Sequence, residues 1–259
     1  RPYPAYEAVG IRNPGGDYNQ LATTLLQIEN EFYGTIRPKR VIRPGERPLH
    51  ALRERGVEYI EVRLMDLDPF ETVGINAQTM RFIDVFLLHC LLSDSPPDTP
   101  AEIDELKYNQ HQTAARGREP GVTLKRGGSE VPLVAWGAEV LAQCAPIAAA
   151  LDAAHGGTQY RDALAAAQTG LADASTLPSA RVLASMTQDF DNSFVKFVRA
   201  QSFTTRDALQ SLPLTPESLA RFTELSEQSV EAQKKIEVSD TLPFEEYRQQ
   251  YVSPQCLEV

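Results

Sequence analysis

Glu61 and Arg63 stand two residues apart in Val57-Glu58-Tyr59-Ile60-Glu61-Val62-Arg63, a run that reads as a β-strand over roughly 57–66. Successive side chains on a strand point to opposite faces, so Tyr59, Glu61 and Arg63 share one face and Ile60, Val62 and Leu64 the other. The stretch 21–36 reads the same way: Gln27, Glu29, Glu31 and Tyr33 alternate with Leu26, Ile28, Asn30 and Phe32. One face of such a sheet is apolar; the other carries carboxylates, an arginine and phenols. The linker between the strands, residues 34–47, holds five basic residues and one acid in a chain of net charge -10. Guanidinium and ammonium groups suit phosphate oxygens, and carboxylates suit magnesium. The layout is that of a site for a magnesium nucleotide. The same residues also describe a wetted strand face, on which a Glu61–Arg63 ion pair would contribute little.

The remaining reactive residue types suggest no second chemistry. Gly127-Gly128-Ser129 lacks the frame and the lysine of a phosphate-binding P-loop. His50, His89, His111 and His155 have no metal-ligand spacing, and Cys90 reads as a packed small hydrophobe. Cys90, Cys144 and Cys256 are odd in number and far apart, which argues against a disulfide framework and for a reducing, cytoplasmic setting. The acidic balance argues against nucleic acid as a partner. The apolar runs are short, so no membrane partner is expected. With 42% hydrophobic and 23% charged residues the chain has the composition of an ordinary globular protein.

Residues 1–20 read as turn-rich, with a strong breaker at Asn13-Pro14-Gly15-Gly16-Asp17, and 66–76 as a loop. From Ala77 the apolar period becomes helical, and 77–93 reads as a largely buried helix. Thr99-Pro100-Ala101-Glu102 opens a helix reaching about Arg116. Residues 117–135 read as a loop with a short hairpin, and 136–170 as helix broken near His155-Gly156-Gly157. Further helices start at Pro178 and at Thr215-Pro216, the latter reaching about Val238. Pro243 and Pro254 are expected to limit regular structure in the tail. The expectation is an α+β chain with two regions: 1–76, the strands with their basic loop, and 77–259, a helical region packing on the sheet.

Leu26-Gln27-Ile28-Glu29-Asn30-Glu31-Phe32-Tyr33, Ile36-Arg37-Pro38-Lys39-Arg40 and Gly56-Val57-Glu58-Tyr59-Ile60-Glu61-Val62-Arg63 together resemble the bacterial class of glutamate–cysteine ligase. Gly117-Arg118-Glu119-Pro120-Gly121-Val122-Thr123-Leu124 and Pro178-Ser179-Ala180-Arg181-Val182-Leu183 extend the resemblance downstream. It implies part of a glutamine-synthetase-like antiparallel catalytic sheet. It also implies ATP-dependent joining of the γ-carboxylate of L-glutamate to L-cysteine through a γ-glutamyl phosphate, the first step of glutathione synthesis. Mg²⁺ is the implied metal, with Mn²⁺ as an alternative, and ATP the co-substrate.

By the same resemblance Glu61 matches a metal ligand, Arg63 a phosphate-contacting catalytic arginine, and Tyr33 a tyrosine of the cysteine pocket. Strand alternation adds Glu29 and Glu31 as candidate metal ligands. The basic linker adds Arg37, Lys39 and Arg40 as candidate phosphate contacts. The family's chain is about twice this length and only its C-terminal half is matched. The expected partner is therefore the N-terminal half of the same enzyme, and the chain alone is expected to be inactive. Two other readings stay open: a non-catalytic companion domain of a ligase, and a ligase with a different amine acceptor.

Overall fold

The computed structural model describes residues 2–28, 31, 33–43 and 45–253. In chain order the elements are α1 (Pro4–Val9), β1 (Ile36–Lys39), α2 (Pro48–Arg55), β2 (Tyr59–Val62), α3 (Ala77–Leu92), α4 (Pro100–Arg116), β3 (Thr123–Arg126), β4 (Ser129–Pro132), α5 (Leu133–His155), α6 (Gln159–Ala172), α7 (Pro178–Asp189), α8 (Phe194–Ser211), α9 (Pro216–Ser239) and α10 (Phe244–Val252). Two small antiparallel sheets, β1–β2 and β3–β4, sit among these helices, so the fold is α+β as expected. The chain forms two compact units: residues 1–66 with 214–259, and residues 67–213.

The helices of the second unit start where their caps dictate. Asn76 accepts the Thr79 N–H at 2.8 Å, Thr99 that of Glu102 at 3.2 Å, and Ser193 that of Lys196 at 3.4 Å. Helices α3, α5 and α6 enclose a core of Val85, Leu141, Cys144, Ala148 and Leu164, flanked by Phe82, Phe86 and Leu171. A Cβ on Gly137 would stand 2.9 Å from the Leu171 side chain, so glycine there permits the close approach of α5 and α6. Asp152, 3% exposed, joins the same two helices. It accepts the Tyr160 and Arg161 N–H groups (2.9 and 3.2 Å) and Arg161 Nε (2.8 Å), so a residue of α5 caps α6.

Helix α5 is long and apolar enough to cross a membrane by length and composition, an exception to the expectation that no segment is. In this fold it carries three of the five core residues. The β3–β4 hairpin turns at Gly127 and Gly128, both at positive φ (59° and 80°), as a tight two-residue turn requires. Their N–H groups donate to Glu105 of α4 at 2.9 and 2.7 Å, so this glycine pair is filled by the protein's own carboxylate.

In the first unit three expectations are corrected. Residues 21–28 form bends around an isolated antiparallel bridge between Thr24 and Pro2, not a strand. The Leu21 N–H donates to Gln27 Oε1 (2.6 Å) and the Gln27 N–H to Glu31 Oε2 (3.0 Å). Side chains thereby take backbone donors that a ladder would need. The strand lies instead inside the basic linker, at Ile36–Lys39. The tail is also regular: Pro243 stands at the N-cap of α10 and starts the helix. Arg248 of α10, 9% exposed, donates to Glu245 and to the Leu21 carbonyl at 2.7 Å, while Arg12 and Tyr18 donate to Glu245. Arg47 reaches the Tyr251 carbonyl at 3.1 Å, so α10 is tied to the N-terminal stretch. Finally, Pro4–Val9 within the turn-rich opening is helical, as is Pro48–Arg55.

Candidate functional site

The register of β1 on β2 sets Arg37 opposite Glu61 and Lys39 opposite Tyr59. Strand alternation puts these four on one face, and Ile36, Pro38, Ile60 and Val62 on the other. The Arg63 N–H donates to the Thr35 carbonyl at 2.9 Å, carrying the ladder one step past β2 and keeping Arg63 on the face of Glu61. Opposite charges across an antiparallel pair favour this register.

Glu61 is the centre of the face. It accepts a hydrogen bond from Arg63 Nε at 2.8 Å and lies 3.2 Å from Lys39 Nζ. Arg63 first, and Lys39 second, hold its carboxyl below the usual carboxylate range. The ring of Tyr33 lies 5.7 Å from the guanidinium carbon of Arg37 and 5.7 Å from that of Arg63. The Lys39, Glu61 and Arg63 side chains are 29%, 32% and 40% exposed, so their polar ends reach solvent. Among the described residues, three cations against one carboxylate leave two positive charges on the face, in a chain that is acidic as a whole. That local excess attracts anions.

Five of the eight residues expected from sequence thus meet: Tyr33, Arg37, Lys39, Glu61 and Arg63. Arg40 does not join them; its Nε lies 3.6 Å from Glu58, on the other face. Glu31 is engaged locally with the Gln27 N–H. Glu29 lies outside the described residues.

Sequence reasoning missed a second cluster. Ligand atoms of Glu46, His50 and Glu54 lie within 4.8 Å of one another, contrary to the expectation that no histidine has metal-ligand spacing. His50 Nε2 lies 3.0 Å from Glu54, an i,i+4 pair visible only once α2 is recognised as a helix. Arg55 grips Glu46 with two bonds of 2.6 and 2.8 Å, and the Arg43 N–H adds a third at 2.8 Å. Arg55 and Arg43 together hold the Glu46 carboxyl down to about 2. Arg55 also donates to the Val41 carbonyl at 2.9 Å, so this network fixes the chain leaving β1 against α2.

The glutamate–cysteine ligase family model matches residues 1–113. The glutamate–cysteine ligase of Janthinobacterium sp. (strain Marseille) is 46% identical over 249 residues, covering 96% of this chain and 47% of that protein. That of Azotobacter vinelandii is 42% identical over 246 residues, covering 95% and 46%. The crystal structure of the Francisella tularensis glutamate–cysteine ligase in complex with AMP matches with a TM-score of 0.90 at 33% identity, over 98% of this chain and 50% of that one. The chain spans about half the length of the curated relatives it matches. Matched in sequence and fold over nearly all of its own length, the chain belongs to the glutamate–cysteine ligase family.

Proposed function

We propose that this chain is the C-terminal half of an ATP-dependent glutamate–cysteine ligase and supplies one wall of its phosphoryl-transfer site. The observation that carries the reading is the pairing of Lys39 and Arg63 with the carboxylate of Glu61, with Arg37 opposite it in the strand register, on a solvent-reaching sheet face beside Tyr33. The family match and the AMP held by the Francisella ligase support a nucleotide as the anion.

In this reading a γ-carboxylate oxygen of glutamate attacks the γ-phosphorus of ATP and ADP leaves. The cysteine amine then attacks the acyl carbon of the γ-glutamyl phosphate, expelling phosphate and losing a proton. Arg63 and Lys39 exchange part of their hold on Glu61 for the transferring phosphoryl oxygens, where fixed positive charge lowers the barrier. Arg37 adds charge from the facing strand, and Tyr33 lines the amine side. Glu61 is ionised and accessible, which fits it as one oxygen ligand of Mg²⁺ or Mn²⁺. The metal would supply neutralisation of phosphate charge. One carboxylate does not fill an octahedral shell, so the remaining oxygens come from phosphate, water or the other half. A cytoplasmic setting suits the free thiols of Cys90 and Cys144.

The test is a chimera in which this chain replaces the matching half of the Janthinobacterium sp. ligase. Phosphate release from ATP should require both glutamate and cysteine, and Arg63→Ala should abolish it. Nucleotide binding without turnover would identify a companion domain instead, and turnover indifferent to the amine offered would remove cysteine as the acceptor.

A further inference from the structure

Helix α9 is 24 residues long, and every residue from Leu219 to Ser239 is exposed. At 3.6 residues per turn, Leu219, Phe222, Leu225, Val230 and Ile236 fall within an arc of about 140°, while Glu224, Glu231 and Lys235 lie opposite. The helix is therefore amphipathic, yet its apolar stripe is open: Leu219 is 55% exposed, Phe222 53% and Val230 49%. Its start is well made, with the Thr215 hydroxyl accepting the Ser218 N–H at 3.1 Å and Pro216 in the first turn. Along its length the described residues give it exposed contacts within the helix, such as Gln228–Glu224, Lys235–Glu231 and the Arg221 guanidinium 5.8 Å from the Phe222 ring. The pairs one turn apart contribute a few tenths of a kcal/mol each. Helices in proteins are held mostly by packing of an apolar face, and among the described residues of its own unit nothing packs on the stripe of this one.

We propose that the apolar face of α9 is the docking surface for the half of the ligase that this chain does not span; the identity of that occupant rests on the reading above. The matched Francisella ligase is twice as long as the part this chain covers, and a match over 98% of this chain must include the helix. A chain segment of comparable length to this one is thus present in such proteins alongside an α9-like helix. A second copy of this chain fits the face less well. The stripe carries Ser226, Ser229 and Gln233 along its middle, which would meet their own equivalents in a helix pair, and a net charge of -10 per copy opposes self-association.

The experiment pairs this chain with the unmatched half of the Janthinobacterium sp. ligase, made as a separate polypeptide. Sedimentation should find this chain alone as a monomer of 28.7 kDa and the mixture as a 1:1 complex. Phe222→Glu and Val230→Glu should each weaken the complex at least about tenfold, as central aromatic and aliphatic contacts do. The helical content and melting of this chain alone should stay unchanged, because both side chains are exposed in it. Unchanged affinity in both variants overturns the proposal. So does the absence of a complex with folded native chain, or a dimer of this chain that the same substitutions dissociate. The readout is binding, so an intact complex without turnover would sink the ligase reading and leave this one standing.

Discussion

Replacing Glu61 with Gln keeps the shape of the side chain and removes its charge. The face then carries Arg37, Lys39 and Arg63 with no carboxylate, and its local charge rises from two to three. A metal-free polyphosphate should bind this variant more tightly than the native chain. One unit charge about 4 Å away in water is worth about a fivefold change in affinity. Screening over about 8 Å at 0.15 M salt trims that to about threefold. Magnesium should act in the opposite sense. It should tighten ATP binding to the native chain, and that increment should vanish in Glu61→Gln, because the one carboxylate that the described residues place on the face is gone. The assay is titration calorimetry of tripolyphosphate and of ATP into this chain, with chelator and with Mg²⁺. Metal-free affinity that falls or stays level in Glu61→Gln would refute the electrostatic account of the face. An undiminished magnesium increment would refute Glu61 as the ligand.

Glu46 has an ordinary value of 4.5 and is held at about 2 in the folded protein, so its ion pair with Arg55 stabilises fully above about pH 4.5 and loses that effect as pH falls toward 2. Arg55→Met should return the Glu46 carboxyl toward its ordinary range by NMR titration and flatten that part of the acid-stability curve; an unmoved titration would contradict the pairing. Phe197 is 1% exposed, with the rings of Phe70, Phe190 and Phe194 centred 5.7, 5.8 and 6.4 Å away. Phe197→Ala should cost about 3–5 kcal/mol by urea unfolding, and a loss no greater than that of the exposed Val195→Ala would show that the cluster is not a core. Asp152→Ala removes three hydrogen bonds and the cap of α6, so it should lower the melting temperature by several degrees, with Asp152→Asn falling between; equal melting for all three would rule out capping from α5.

Of the capped helix starts, those at Thr99 and Thr215 were legible in the sequence because the cap acts within one turn, that at Ala77 followed from the change of apolar period, and that of α8 at Ser193 was passed over. Asn76, Thr99 and Thr215 each mark the first residue of a helix by a local bond. Helix α2 was not, since Arg47 at its N-cap makes no side-chain cap bond, and α10 was not, since Pro243 reads equally as a breaker and a starter. Alternation misled at 21–28, where Gln27 and Glu31 spend their side chains on neighbouring N–H groups. The shared face of Glu61 and Arg63 followed from a spacing of two on one strand. Placing Arg37 and Lys39 on that face needs the β1–β2 register, which pairs residues 20 or more positions apart and leaves no local signature. Composition could say only that the linker was basic. Its strand character, and the turning of Arg40 toward Glu58, come from the partner strand.

The central claim is that Lys39, Glu61 and Arg63 form a magnesium-nucleotide face. The most direct measurement is a crystal structure of the chimeric ligase with Mn²⁺ and a non-hydrolysable ATP analogue. The account predicts an anomalous manganese peak on Glu61, with phosphate oxygens within hydrogen-bonding distance of Lys39 and Arg63. A nucleotide bound elsewhere, with the Lys39–Glu61–Arg63 ion pairs intact and no manganese on Glu61, would contradict it.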